Sequence, residues 1–216
     1  GNPATIVLNY TSVAGLTDVT HLGIFTIAEF SNIPNLVLLA PTNKAEYFAM
    51  LDWSIEQQEH PVMILMPGNG VIDDGRVAEK DYSNIINKFK VEEKGSKVAI
   101  LGLGDFYQIG EEVSKMVEEK LGFKPTLVNP RFASGVDKEL LNDLKQDHDL
   151  VITLEDGILR GGFGESIASF YGDSDIKVKN YGLEKEFYDR YNPSQLLDEL
   201  GITPEKIVKY IESMIK

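Results

Sequence analysis

The chain has 216 residues, of which 43% are hydrophobic and 25% charged, with a formal net charge of −13 and no cysteine. This size allows one large or two small domains with a buried core. The acid excess excludes nucleic acid as an expected partner, because a phosphate backbone is repelled by a protein without a basic patch. Without cysteine there are no disulfides or cysteine metal sites, which suits the cytoplasm. No apolar run approaches the roughly 20 residues of a membrane span, so we expect no membrane.

The first part of the chain predicts buried strands that alternate with helices. Residues 4–10, 36–40 and 61–66 are apolar runs, typical of parallel strands buried on both faces. The first run is β-branched enough to predict a central strand, and its position close to residue 1 leads us to expect a longer parent protein. Residues 24–30 predict a short helix. Residues 44–53 predict another helix, with Thr42 as N-cap and Phe48 on its apolar face.

Residues 71–96 are polar and charged, and after them the alternation of strands and helices is complete. Strands are predicted at residues 97–103, 125–129, 149–154 and 177–181, and helices at residues 107–121, 137–144, 161–171, 193–200 and 204–215. Gly122 is a predicted C-cap and Asp137 a predicted N-cap. The pattern predicts an α/β protein with two three-layer domains and mostly parallel sheets. We place the domains at residues 1–75 and 96–216, joined by a linker at 76–95.

Two glycine clusters lie after predicted strands, and each has two interpretations. Gly102-Leu103-Gly104 has the strand–helix context of a dinucleotide site, but Tyr107 stands where the third glycine is expected. A tight turn is the favoured interpretation. In the second cluster, at residues 160–164, glycines before a helix either leave its amide groups open to an anion or allow close packing. Close packing is favoured there.

Asp18 and His21 form the best chemical pair in the sequence. Histidine is the side chain that acts as an acid or a base near neutral pH. Taken alone, a loop histidine beside an aspartate is more often a surface hydrogen bond. No serine, histidine and acid have the spacing of a triad, and no metal-ligand pattern is present in the sequence. We assign no role to His60 and His148.

A series of motifs resembles, in order, those of 1-deoxy-D-xylulose-5-phosphate synthases and transketolases. In the first part the matching residues are Thr20-His21-Leu22-Gly23-Ile24-Phe25, Ile33-Pro34-Asn35, Ala40-Pro41-Thr42-Asn43 and Glu46. In the second part they are residues 98–104, Val128-Asn129-Pro130-Arg131-Phe132, Asp137, Thr153-Leu154-Glu155-Asp156, Gly161-Gly162-Phe163-Gly164, Gly182-Leu183, Phe187, Leu196-Leu197 and Leu200-Gly201-Ile202. The resemblance covers almost the whole chain, and its specificity lies in the order and spacing of the motifs.

The resemblance implies a transferase that uses thiamine diphosphate and Mg²⁺ to form or break a C–C bond next to a carbonyl group. In that family a first domain binds the diphosphate and the metal through a G-D-G motif, and a middle domain binds the aminopyrimidine ring. The chain would be the later part of this pyrimidine-binding domain, followed by the transketolase C-terminal domain. It would need an N-terminal diphosphate-binding domain and form a homodimer. Without a G-D-G motif, the segment alone is expected to bind no thiamine diphosphate and to be inactive.

The resemblance also assigns site residues and raises a question about the substrate. His21 matches a family histidine that lines the substrate channel, and Asp18 matches the acid of the motif D-G-x-T-H. The phosphate-binding arginine of the family motif D-R-A-G is replaced by Val13, and both arginines of R-x-P-R-G are missing from residues 65–69. Because uncharged side chains do not pair with phosphate, this implies an unphosphorylated or different carbonyl substrate, or a loss of activity.

Three alternatives stay open. The first is the β chain of a 2-oxo acid dehydrogenase, which has the same two domains. The second is a non-catalytic dimerisation or regulatory module, which the missing arginines favour. The third is a nucleotide-binding domain that uses Gly102-Leu103-Gly104.

Overall fold

A computed structural model describes residues 2–215. The strands are β1 (Ala4–Asn9), β2 (Val37–Leu39), β3 (Pro61–Met66), β4 (Lys90–Glu93), β5 (Lys97–Gly102), β6 (Thr126–Asn129), β7 (His148–Ile158) and β8 (Lys177–Leu183). The helices are α1 (Thr26–Phe30), α2 (Lys44–Glu56), α3 (Tyr107–Leu121), α4 (Lys138–Leu144), α5 (Phe163–Phe170), α6 (Pro193–Glu199) and α7 (Pro204–Met214). The alternation of strands and helices follows the sequence pattern closely.

The strands form two sheets. The first is entirely parallel, in the order β1-β3-β2, and the second has the order β4-β6-β5-β7-β8 with only β4 antiparallel to its neighbour. This confirms the predicted α/β class with mostly parallel sheets. Strand β4 falls inside the segment interpreted as a linker, yet it pairs with β6. The prediction that residues 4–10 form a central strand is wrong for the described part of the chain, since β1 pairs with β3 alone.

The inner strands of the second sheet, β5, β6 and β7, are buried on both faces, which explains their continuous apolar sequences. On one face, alternate residues of β5, β6 and β7 pack against α3 and α7, and on the other face the intervening residues pack against α4 and α5. The predicted caps of α3 and α4 are confirmed. Gly122 ends α3 with φ of 74°, and the Asp137 side chain accepts a hydrogen bond from the amide of Leu140 in α4.

Helix α2 differs from its prediction in two ways. Asn43, rather than Thr42, is the N-cap, since its side-chain oxygen accepts the amide of Glu46 at 2.9 Å, while the amide and hydroxyl of Thr42 donate to the Glu46 carboxylate. Phe48, predicted on the buried face, is 51% exposed, and Trp53 is buried in its place. Both faces of α2 carry apolar residues, so periodicity alone does not decide which face meets the sheet.

The two sheets are joined by the loop that follows β6. The amide of Ala40 donates to the carbonyl of Arg131 at 2.8 Å, and the amide of Ala133 donates to the carbonyl of Leu38 at 2.8 Å. Residues 131–133 therefore run along the free edge of β2 and cover backbone groups that would otherwise be unpaired. This contact fixes β2 of the first sheet against the loop that follows β6 of the second sheet.

Candidate active site

The candidate site lies in the segment between β1 and α1, which turns tightly and comes back to the end of β1. Tyr10 has a left-handed backbone conformation with φ of 61°. A side chain at residue 23 would collide with the carbonyl oxygen of Tyr10, so the return point requires glycine. Between these two points a short 3-10 turn, Val19–His21, carries the predicted site residues. The glycine of the T-H-x-G motif thus has a steric reason for its position.

Asp18 and His21 are connected through Thr20. The Asp18 carboxylate accepts the amide of Thr20 at 2.9 Å and its hydroxyl at 2.6 Å, and this hydroxyl oxygen lies 2.8 Å from His21 Nδ1. The hydrogen bonds from the Thr20 hydroxyl and amide lower the pKa of Asp18 below its ordinary value. The His21 ring is exposed. The predicted pair is therefore one hydrogen-bonded unit with an ionised acid at one end and a solvent-facing imidazole at the other.

The segment between β8 and α6 holds this turn in place from the second sheet. The amide of Val19 donates to Asp189 Oδ1 at 3.2 Å, and the amide of Arg190 donates to the carbonyl of Thr17 at 2.7 Å. The rings of Phe25 and Phe187 lie 5.6 Å apart, and Phe187 is 81% exposed. We name residues 184–192 the clamp segment. The sequence does not indicate the role of this segment, because its contacts join residues about 170 positions apart.

Val13, where the sequence resemblance places an arginine of the family, has a buried side chain. Its side chain is 1% exposed and packs into the core on one face of the second sheet. Its amide donates to Asp156 Oδ1 at 2.8 Å, and its carbonyl accepts the hydroxyl of Tyr191 at 2.9 Å. In this chain the position is therefore part of the core.

Two acids and a serine form a polar cluster beside Val13. The hydroxyl of Ser12 lies 2.5 Å from Asp156 Oδ2 and 3.1 Å from Asp105 Oδ2. Asp105 follows β5 and Asp156 lies near the end of β7, which is its neighbour in the sheet. Burial, followed by the negative charge of Asp105, raises the pKa of Asp156 well above its ordinary value, and burial also raises the pKa of Asp105. Burial and the proximity of the two acids therefore make this pair harder to ionise than exposed carboxyl groups.

This acid pair borders a cleft of about 320 Å³ between the two sheets. The cleft is open to solvent and is also lined by Ala14, Asn69, Gly70, Gln108 and Glu112. His21 is not among its lining residues. The sequence contained a signal for the pair that we did not use: two acids after neighbouring parallel strands lie at one edge of the sheet, where α/β proteins bind ligands.

In the second glycine cluster, the chain itself binds the first two amide groups of α5. Glu155 Oε2 accepts the amide of Phe163 and Oε1 accepts the amide of Gly164, both at 2.8 Å. Burial raises the pKa of Glu155 to about 8, while the two amide hydrogen bonds act in the opposite direction. A side chain at residue 162 would collide with the Glu155 carboxylate. The chain's own carboxyl group therefore occupies the position where an external anion would bind.

The first glycine cluster has a packing role. A Cβ atom at residue 102 would lie 2.6 Å from the Cα atom of Tyr107, and Gly104 has φ of 60°. Leu103 between them is buried, and its amide donates to the carbonyl of Leu154. Both glycines are needed for the tight passage from β5 into α3, which is the interpretation favoured from sequence.

The remaining histidines have structural partners. His148 is buried, with Nε2 2.7 Å from the Thr126 hydroxyl oxygen, and His60 Nδ1 lies 3.0 Å from Asn35 Oδ1. Within residues 2–215, no group of three or more histidine, aspartate or glutamate side chains is placed to hold a metal ion. None of the helices in this part of the chain combines the length and the apolar character that crossing a bilayer requires.

Comparisons with known proteins agree with this structure. Residues 87–207 match the family model described as the transketolase C-terminal domain. A 1-deoxy-D-xylulose-5-phosphate synthase of Acaryochloris marina is 30% identical over 99% of the chain and 34% of its own length, and one of Synechococcus sp. JA-3-3Ab is 32% identical over 99% and 33%. The chain thus spans about a third of the length of the curated relatives that it matches.

Two solved structures have the same fold. A split-gene transketolase, described as an inactive β4 tetramer, aligns with 97% of this chain and 66% of its own at a TM-score of 0.79 and 23% identity. The transketolase of Campylobacter jejuni aligns with 97% of this chain and 31% of its own at a TM-score of 0.71 and 19% identity. The chain therefore belongs to the family of proteins that contain the transketolase C-terminal domain.

Proposed function

We propose that the chain is the later part of a 1-deoxy-D-xylulose-5-phosphate synthase-like or transketolase-like enzyme that forms or breaks C–C bonds next to a carbonyl group. The observation that supports this most is the Asp18–Thr20–His21 unit, which has an exposed imidazole and is held by Asp189 of the clamp segment. The names of the relatives favour this class over the β chain of a 2-oxo acid dehydrogenase. The cytoplasmic location stays a prediction.

In this proposal His21 acts on an oxygen atom of a small carbonyl substrate. A neutral imidazole nitrogen accepts a proton from a substrate hydroxyl group, and the protonated ring donates it back or stabilises a developing alkoxide. Asp18 remains ionised because Thr20 donates two hydrogen bonds to it. Its negative charge favours the protonated imidazole during the reaction.

The substrate proposed for this site is an unphosphorylated carbonyl compound, or one whose phosphate is bound elsewhere. Val13 is buried in the core, and Leu65 and Met66 are apolar. A phosphate group needs cationic partners or several amide donors, and these positions supply no cation. The same observation favours the second candidate, a non-catalytic dimerisation or regulatory module.

Thiamine diphosphate and Mg²⁺ would supply the carbanion chemistry of the complete enzyme. Residues 2–215 do not fit the diphosphate and metal part of this cofactor. Within them no acid cluster can hold a metal, and the buried carboxylates of Glu46 and Glu155 are already engaged by the chain's own donors. We therefore propose that an N-terminal diphosphate-binding domain completes the site, within a homodimer.

The domain division at residues 1–75, 76–95 and 96–216 belongs to the same proposal. Residues 71–79 lie outside helices and strands, and Val77 is 85% exposed, whereas Tyr82 is buried against Trp53. Limited proteolysis should therefore cut first near Val77 and leave the second sheet intact. Cuts spread evenly along the chain would contradict the division.

The functional test starts with the complete product of the gene that encodes this chain. We would measure its intact mass and then titrate thiamine diphosphate with it and, in parallel, with the 216-residue chain. We expect binding by the longer product only, and a loss of its turnover of small aldehydes and 2-oxo acids in His21→Ala. His60→Ala is the matched control, because this histidine lies away from the turn. Absence of binding by both proteins would favour the non-catalytic module, and turnover by the complete product would exclude it.

A further inference from the structure

The turn Val19–His21 contains a hydroxyl group whose position matters for the histidine ring. Thr20 Oγ1 lies 2.6 Å from Asp18 Oδ1 and 2.8 Å from His21 Nδ1. An ionised carboxylate is only an acceptor, so the hydroxyl proton of Thr20 must point towards Asp18. The hydroxyl oxygen can then only accept a hydrogen bond from the ring. A hydrogen bond between them requires His21 Nδ1 to carry the hydrogen.

This donor and acceptor pattern determines the tautomer of His21. When Nδ1 of a neutral imidazole carries the hydrogen, Nε2 carries the lone pair. Within residues 2–215, the hydrogen bonds of the His21 ring involve Nδ1 alone, so no group of this part of the chain engages Nε2. An unconstrained histidine in water favours the opposite tautomer, with hydrogen on Nε2. The turn therefore imposes a state that the free side chain does not prefer.

The backbone that carries Thr20 is itself held from two sides. Asp18 binds the amide of Thr20 at the start of the turn, and Asp189 of the clamp segment binds the amide of Val19. These contacts limit rotation of the two peptide units that precede the Thr20 side chain. The Thr20 side chain is thus presented to the ring by a backbone that the second sheet helps to orient.

We propose that Thr20 is a positioning residue that orients the His21 ring and holds it in the Nδ1–H tautomer, so that Nε2 faces the substrate as a base. This role rests on the proposed function, in which His21 acts on a substrate oxygen. It concerns a residue between the two acid–base groups, and it does not require Thr20 to touch the substrate. The statement about the tautomer can be tested on the chain itself, without any activity.

The test is a long-range ¹H–¹⁵N spectrum of the ¹⁵N-labelled 216-residue chain above the pKa of imidazole, with His21→Asn used for assignment. We expect a pyrrole-like Nδ1 and a pyridine-like Nε2 at His21, reversal of this pattern in Thr20→Val, and its retention in Thr20→Ser. His148 is the internal control for the fold, because its ring is buried beside Thr126. A hydrogen on Nε2 in the unsubstituted chain, or the same tautomer in Thr20→Val, overturns the proposal.

A second measurement separates this proposal from the proposed function. In the complete enzyme we expect Thr20→Val to lower kcat roughly tenfold, which is part of the 10²–10⁴-fold effect typical of an acid–base group, and Thr20→Ser to restore it. If His21→Ala leaves turnover unchanged, the proposed function fails, while the spectrum still decides whether Thr20 sets the tautomer. Equal loss in Thr20→Val and Thr20→Ser would contradict the positioning role.

Discussion

Replacing Asp156 with asparagine tests whether the buried acid pair holds a proton in the folded chain. Asp156 is 4% exposed, and its carboxyl group accepts the amide of Val13 and the hydroxyl of Ser12. The introduced side-chain amide would keep the oxygen acceptor for Val13 and would direct an N–H group towards Ser12. The Ser12 hydroxyl would then donate to Asp105 alone. The substituted side chain is thus a neutral mimic of protonated aspartic acid.

The magnitude follows from proton linkage. Because the pKa of Asp156 is raised in the folded state, the folded chain binds a proton that the unfolded chain releases above the ordinary value of 3.8. The free energy of unfolding must then fall as pH rises, by about 1.4 kcal/mol for each pH unit until the raised pKa is reached. The total difference therefore grows with the number of pH units that separate the ordinary pKa from the raised one. Glu155, whose pKa is also raised, acts in the same direction but is present in both proteins.

The assay is urea unfolding of the unsubstituted chain and Asp156→Asn at several pH values between 5 and 8. We expect similar stability near pH 5 and a growing advantage of the asparagine variant as pH rises, with unchanged m values. The exposed Asp173→Asn is the control and should follow the unsubstituted chain. Parallel curves for Asp156→Asn and the unsubstituted chain would show that the pair does not retain a proton.

Three further predictions concern stability and are tested by the same urea assay. Glu155→Gln replaces one of two acceptors at the start of α5 with an N–H donor and should cost about 1 kcal/mol, and an unchanged midpoint would contradict its capping role. Gly102→Ala places a carbon atom 2.6 Å from the Tyr107 backbone and should lower the free energy of unfolding by about 1–3 kcal/mol. Gly122→Ala adds no close contact but has φ of 74°, so its expected cost is smaller, roughly 1 kcal/mol. A larger cost for Gly122→Ala than for Gly102→Ala would be evidence against steric control. Tyr82→Phe removes a buried hydroxyl without a partner in the described chain and should be neutral or stabilising by up to about 1 kcal/mol, so clear destabilisation would refute this interpretation of the hydroxyl.

The fold was largely predictable because the inner strands of the second sheet, β5, β6 and β7, are buried on both faces. Such strands appear in the sequence as continuous apolar runs, which depend on local sequence alone. For helix α2, local sequence alone did not predict which residues are buried. Its apolar residues lie on two faces, and the way in which the helix packs on the sheet determines that Trp53 is buried and Phe48 is exposed. Likewise, the N-cap of α2 is Asn43 rather than the predicted Thr42, because the side chain of Thr42 donates to the Glu46 carboxylate and does not cap the backbone.

The site was predictable only in part, for a reason of distance along the chain. Asp18 and His21 are three residues apart, so their connection through Thr20 is local and the motif points to it. The hydrogen bonds that orient the turn come from Asp189 and Arg190, and nothing in the local pattern indicates them. The same is true of Asp105 and Asp156, whose meeting depends on the order of strands in the second sheet.

These long-range contacts give the second half of the chain a defined part in the candidate site. The clamp segment binds the backbone of the turn on both sides of Asp18, through Thr17 and Val19. The carboxyl group of Asp156 holds the amide of Val13, at the start of the same segment. A turn whose amides are bound in this way has few alternative conformations, and the imidazole at its end keeps one orientation. In the proposed enzyme, the transketolase C-terminal domain would therefore contribute to catalysis by positioning a histidine that belongs to its neighbour.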